Sequence, residues 1–184
     1  LLGRLGDKAA SDTRAAGLAA AGDKGAETGI LEGRKAAERL RSQIESLCLD
    51  IMLMQQPLVG ADLRFVSASF RIVSDLAQVD SMTRDVAFIF SEMPDGQREE
   101  LGERFCAMSE YAATMVERAI EAFCASNEQE AQAVIDADDK LDADYAEAEA
   151  RVVELIRAGE PSTASLPELL MVAKYFERIG DKAQ

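Results

Sequence analysis

The sequence has no histidine and no tryptophan, only 5% aromatic residues, four prolines and three cysteines in 184 positions. Each scarcity removes a class of chemistry. Without histidine there is no His/Cys zinc site and no di-iron centre of the Glu-x-x-His type. The commonest general acid/base is missing too, and neither a phosphate-cradling glycine loop nor an activated nucleophile takes its place. The sequence therefore predicts no enzyme. Cys48, Cys106 and Cys124 are odd in number, far apart and without CxxC spacing, so the expectation is buried free thiols in a reducing compartment. The longest apolar stretch, Leu47 to Val59, is broken by Asp50, Gln55, Gln56 and Pro57, and is too short and polar to span a bilayer. No signal-peptide pattern opens the chain, so a cytoplasmic location without membrane insertion is expected.

What is abundant is acid. Thirty-four acidic against 20 basic residues leave a net charge of −14. Such a surface repels nucleic acid and anionic lipid, and attracts cations or a basic protein face. Hydrophobic residues make up 48%, and the prevalence of Ala, Leu, Glu, Asp and Arg favours helix. The chain starts without Met and stops at Gln184 inside an apparent helix, the expected signature of a chain truncated at its C-terminal end.

Punctuation divides the sequence into six helical segments. The first runs from Leu1 to Ala21, weakened by Gly3, Gly6 and Gly17, and stops at Gly22. The second covers Asp23 to Gln55, with Ile44, Leu47, Cys48 and Ile51 in one stripe. Gln56-Pro57-Leu58-Val59-Gly60 ends it, and Asp62 is positioned to cap the third, whose seam is Leu63, Val66, Phe70, Val73 and Ala77. Pro94-Asp95-Gly96 ends that segment. The fourth extends from Gln97 to Ala125, with Leu101, Phe105, Met108, Met115 and Ile120 on its apolar side. Asn127 caps the fifth, which continues to Ala158 and stops at Gly159-Glu160-Pro161. Ser165 and Glu168 form a capping box for the sixth, with Leu169, Val172, Phe176 and Ile179 in its seam. Met52, Met54 and the neighbouring leucines read as core, since methionine fills irregular gaps. Lys24, Arg34, Lys35, Arg39 and Arg41 form a basic stripe expected to bridge nearby acids. The Gln-Gln-Pro corner reads as a helix hairpin whose exposed polar groups could meet a partner.

Segments two to five are each about 30 residues and would span roughly 45 Å, so short turns force neighbours to run antiparallel. The pattern is three plus three. A shift of 104 places Ile30-Leu31 on Val134-Ile135 and Glu45 on Glu149, and a shift of 100 places Val79 on Ile179. The expected fold is all-α, two tandem antiparallel three-helix bundles side by side, with repeats at 1–94 and 95–184.

Leu47-Cys48-Leu49-Asp50-Ile51-Met52-Leu53-Met54-Gln55-Gln56-Pro57 and then Ala61-Asp62-Leu63-Arg64 resemble the central hairpin of the PhoU family. Arg71-Ile72-Val73-Ser74-Asp75-Leu76 resembles the family's segment just beyond that hairpin, and Phe176-Glu177-Arg178-Ile179-Gly180-Asp181-Lys182-Ala183 is similar to its acidic Glu-x-x-x-Asp signature. The resemblance implies paired three-helix bundles, often dimeric, in a cytoplasmic negative regulator of phosphate uptake. Such a regulator links a phosphate ABC transporter to a two-component sensor histidine kinase. The cytoplasmic domain of a sodium–phosphate symporter is the alternative that the likeness leaves open. Several family members carry metal clusters on their acidic motifs.

Carboxylates four residues apart share a helical face, and two such pairs on neighbouring helices can surround a hard cation. Asp138/Asp142 and Glu177/Asp181 match the family's metal positions. The ions that suit carboxylate and water ligands are Fe, Mn, Mg or Ca. In the first half the matching positions are Arg34, Glu38, Ala77 and Ser81, so one of four carboxylates remains and no metal is expected there. Asp75, Asp80 and Asp85 recur every five residues and so drift around the third helix. Acidic pairs at this spacing also arise from composition alone, as Glu99/Glu103 and Glu117/Glu121 illustrate.

Overall fold

The computed structural model describes residues 1–55, 57–93, 101–159 and 165–184, and every regular element among them is a helix. In chain order these are α1 (Leu2–Ala20), α2 (Lys24–Met54), α3 (Gly60–Glu92), α4 (Gly102–Ala125), α5 (Glu128–Ala158) and α6 (Leu166–Ala183). Helices α1, α2 and α3 pack on one another, as do α4, α5 and α6. The two bundles lie side by side, joined where α1 meets α4 and where α3 meets α6. The expected boundary at residues 94–95 and the proposed start of the fourth helix at Gln97 lie outside the described residues.

Two helix starts follow the capping rules closely. Asp23 Oδ1 accepts from the backbone N–H groups of Gly25 (2.8 Å) and Ala26 (3.0 Å), and Asn127 Oδ1 accepts from that of Glu130 (3.1 Å). Two others differ from expectation. Helix α3 begins at Gly60, which takes a positive φ of 64°, so Asp62 sits in the first turn and complements the helix dipole instead of capping. Ser165 precedes α6 at φ −98° and ψ 2°, away from the extended geometry of an N-cap, and makes no side-chain capping bond. Pro167 then occupies the first turn of α6, where its missing N–H costs nothing.

Glycines that weaken α1 as an isolated helix make it the centre of the fold. A Cβ at Gly17 would lie 1.9 Å from Ser109 Oγ and 3.2 Å from the Cα of Cys106, and one at Gly6 would lie 2.8 Å from Ile120 Cγ1. Ala9, Ala10, Ala16 and Ala20 are buried beside them, and Ala112 and Ala113 are buried on α4. Small residues on both surfaces bring the two backbones close. Arg14 closes the contact with paired bonds to Glu110 (2.9 Å) and Glu117 (2.5 Å).

The core holds the expected seams of α4 and α6, including Phe105, Met108, Met115, Leu169, Val172 and Phe176. Phe105 contacts both Phe90 and Phe176, with ring centroids 6.2 Å apart in each pair. The tip of α2 corrects the sequence reading, since Met54 is 83% and Leu53 72% exposed. Helix α1 has 19 residues and α2 has 31, so the last turns of α2 run past their neighbour. Leu47 and Leu49 are exposed there too, and Leu63 at the start of α3. All three thiols are free, but only Cys48 is buried; Cys106 is half-buried with its sulfur 3.2 Å from the Gly17 carbonyl, and Cys124 is exposed on the last turn of α4.

Gly17→Ala should destabilise the fold by about 2 kcal/mol, because overpacking at α4 outweighs the helix propensity gained. Gly29→Ala, where a Cβ meets nothing within 4 Å, should instead stabilise by up to about 1 kcal/mol. Urea denaturation of both variants checks the pair, and equal effects would contradict the packing described.

Candidate metal centre

Among the described residues, buried acid is concentrated on the seam between α5 and α6. Asp138 and Asp142 stand one turn apart on α5, and Glu177 and Asp181 one turn apart on α6. Asp138 and Glu177 are each only 7% exposed, whereas Asp142 and Asp181 face solvent. Gly180 allows the approach: a Cβ there would fall 2.5 Å from Leu141 Cδ1 and 3.0 Å from Asp138 Oδ1.

The two inner carboxylates are half satisfied. Asp138 Oδ2 accepts from Gln184 Nε2 at 3.2 Å, and Glu177 Oε1 accepts from Lys174 Nζ at 2.5 Å. Lys174 also lies over the Tyr145 ring, 4.8 Å from its centroid. Asp138 Oδ1 and Glu177 Oε2 are buried without a hydrogen-bond partner. Burial, and then the charges of Asp181, Asp142, Glu177 and Asp139, push the Asp138 carboxyl above its ordinary value. Among the described residues no three His, Cys, Asp or Glu side chains converge closely enough to form a metal-holding group. The four acids share a seam and a field but not a common point. The donor chemistry and the two orphaned oxygens suit a hard cation.

The first bundle is built differently. Arg34 Nε donates to Glu38 Oε1 at 2.7 Å on the exposed face of α2, Ala77 is half-buried, and Ser81 is exposed. The three drifting aspartates of α3 meet three different partners: Asp75 takes Lys182 at 3.2 Å, Asp80 takes Arg84, and Asp85 faces Tyr175. Lys8 pairs with Asp12 at 2.6 Å on α1. Sequence reasoning missed Lys8, Asp12, Arg84, Lys174 and Gln184. The i,i+4 pairs Lys8/Asp12 and Asp80/Arg84 are visible in the sequence, but only packing shows them to be mostly buried.

A separate cavity of about 700 Å³ opens between α3, α4, α5 and the end of α6. Asp181 reaches its edge, but Asp138 and Glu177 do not line it.

A family model described as the PhoU domain matches residues 105–184. The phosphate-specific transport system accessory protein PhoU homolog of Clostridium acetobutylicum is 24% identical over 83% of this chain and 70% of its own length. The PhoU homolog 1 of Methanothermobacter thermautotrophicus is 25% identical over 84% of this chain and 70% of its own. From residue 105 onward the chain matches the PhoU domain, and over most of its length it is similar to PhoU accessory proteins. The PhoU accessory protein of Escherichia coli is 22% identical over 84% of this chain, which spans 64% of that relative. The crystal structure of PhoU from Pseudomonas aeruginosa superposes with a TM-score of 0.87, covering 99% of this chain and 86% of that one at 22% identity. The PhoU domain match falls on the half that retains all four carboxylates, and the half with Arg34 and Ala77 lies outside it.

Asp138 generates a pH-dependent prediction. Because folding raises its carboxyl above 3.8, its contribution to stability is full below that pH and is lost as pH rises through the folded value. In chelator at neutral pH, Asp138→Asn should therefore stabilise the protein by on the order of 1 kcal/mol, with the gain vanishing toward about pH 4. Thermal melts at the two pH values check this. A variant less stable than the parent at neutral pH would contradict it.

Proposed function

We propose that this chain is an accessory regulator of phosphate uptake, acting in the cytoplasm as a non-catalytic adaptor between a phosphate ABC transporter and a sensor histidine kinase. The observation that carries the reading is the run of relatives named as phosphate-specific transport accessory proteins, matched along most of the chain. An adaptor needs surface, and the α2–α3 hairpin offers it. Leu53, Met54 and Val59, the last 65% exposed, stand at the end of the molecule that carries the Gln-Gln-Pro resemblance. Exposed apolar side chains grouped at one end are an ordinary feature of interaction surfaces. With a charge of −14, control by direct DNA contact is disfavoured, so regulation runs through protein partners. No helix among the described residues is long and apolar enough to cross a membrane.

In this reading Asp138 and Glu177 are the inner ligands of a hard cation, with Asp142 and Asp181 completing the oxygen set at the solvent side. The ion, among Fe, Mn, Mg or Ca, supplies positive charge that this seam otherwise lacks. Its role is structural and electrostatic.

Deletion of the gene should deregulate phosphate uptake or the phosphate-starvation response, while the purified protein turns over no phosphate ester. Complementation with Leu53→Glu/Met54→Glu should restore protein level but not control, and should abolish co-purification of transporter or kinase. Full control by that variant would remove the hairpin from the adaptor surface. Unchanged responses in the deletion strain, with no paralogue present, would sink the regulatory reading.

A further inference from the structure

The outer helix of each bundle carries a face that the fold leaves uncovered. Helix α2 packs on α1 and α3, and α5 packs on α4 and α6. The two are equivalent elements. Each has 31 residues and starts from a side-chain cap, Asp23 or Asn127, with the shift of 104 read from sequence. Their inner strips match under that shift: Ile30, Ala37, Ile44 and Cys48 of α2 lie where α5 has Val134, Leu141, Ala148 and Val152, and all are buried.

The outer strips match as well. On α2, Leu31, Lys35, Arg39, Ser42, Ser46 and Leu49 follow one another at intervals of three and four, so they share one face. The same steps on α5 give Ile135, Asp139, Ala143, Ala146, Ala150 and Val153, and every one of these residues is exposed. Leu31 and Leu49 are 40% and 52% exposed, and Ile135 and Val153 are 40% and 38%. In both helices the two apolar residues stand about 27 Å apart. An exposed leucine is ordinary by itself, but exposed apolar residues at the same two registers of both bundles form a pattern. Between them the serines and alanines keep each ridge low enough for another helix to approach.

The ridges agree in shape and differ in charge. Lys35 stands where α5 has Asp139, Arg39 where it has Ala143, and Lys24 where it has Glu128, whereas Glu32 and Asp136 are alike. Lys35, Arg39 and Asp139 make no ion pair among the described residues. We propose that the α2 ridge of one copy packs on the α5 ridge of a second copy, head to tail. The occupant is a second copy because the complement of each ridge, in apolar spacing and in charge, stands on the same chain. A symmetric contact would set Lys35 and Arg39 against themselves, or Asp136 and Asp139 against themselves, so the charges reject it and leave the unlike pairing. Such a contact is heterologous, and continues from copy to copy unless it closes a ring.

The net charge of −14 opposes association while the ridges favour it, and salt screens both, so ionic strength alone does not decide. Exchanging the charges does. Sedimentation velocity of the parent at roughly 0.2 mM, a concentration suited to a small contact, should show species heavier than one chain. Lys35→Glu/Arg39→Glu makes both ridges acidic, and Asp136→Lys/Asp139→Lys makes both basic. Each variant alone should sediment as a single chain. Mixed in equal amounts they should associate again, because every unlike contact is once more between opposite charges. Both variants stay strongly acidic as a whole, so net charge does not explain that recovery. Leu49→Ser, which leaves the charges alone, should weaken the parent's association severalfold. The substituted positions are exposed, and unchanged circular dichroism and melting temperature separate a lost contact from a lost fold. A parent that remains a single chain, association that survives in either charge variant alone, or a mixture that stays dissociated overturns the proposal. The adaptor reading is untouched by any of these results, since its test is the phosphate response of the deletion strain.

Discussion

Helices α1 and α4 approach closely because Gly6 and Gly17 on α1 leave room for Ile120, Ser109 and Cys106 on α4, and the rest of the molecule is arranged around that contact. Each bundle hangs its two outer helices on one member of the pair, so the α1–α4 spacing sets where α3 meets α6. Phe90, Phe105 and Phe176 fill the space that this arrangement leaves between the bundles. Close packing of small residues is intolerant of added volume, which makes this contact a rigid reference for the rest of the fold.

On that frame the two bundles differ in how they handle buried charge. Burying an ion is costly unless it is paired, and the first bundle meets the requirement with Lys8 and Arg84. The second leaves Asp138 Oδ1 and Glu177 Oε2 buried without partners, on helices brought close where Gly180 faces Leu141 and Asp138. A site in which a carboxyl is pushed up by burial and by neighbouring acids is poised to take up a proton or a cation.

Much of this was legible in the sequence. The stripes Leu169, Val172, Phe176, Ile179 and Phe105, Met108, Met115 gave two core faces correctly, because period and burial coincide on a helix packed from one side. Asn127 was legible as a cap because an N-cap is a local interaction. What failed was set at a distance. Gly6 and Gly17 read as weak points of a helix when they are its closest contacts, since propensity says nothing about the neighbour. Met54 and Leu53 read as core because the pattern of α2 continues past the end of α1, and helix length alone does not show where cover stops. The acids of the candidate centre could be paired by spacing, but not the burial of Asp138 and Glu177 against the exposure of Asp142 and Asp181, nor the bonds from Gln184 and Lys174.

The central claim is that charge, not fold, distinguishes the two bundles, and crystals grown in Mn(II) and measured at its absorption edge address it directly. The account predicts an anomalous peak between α5 and α6 beside Asp138 and Glu177, and none beside Arg34 and Asp80. A well-occupied peak in the first bundle with an empty seam in the second would contradict it.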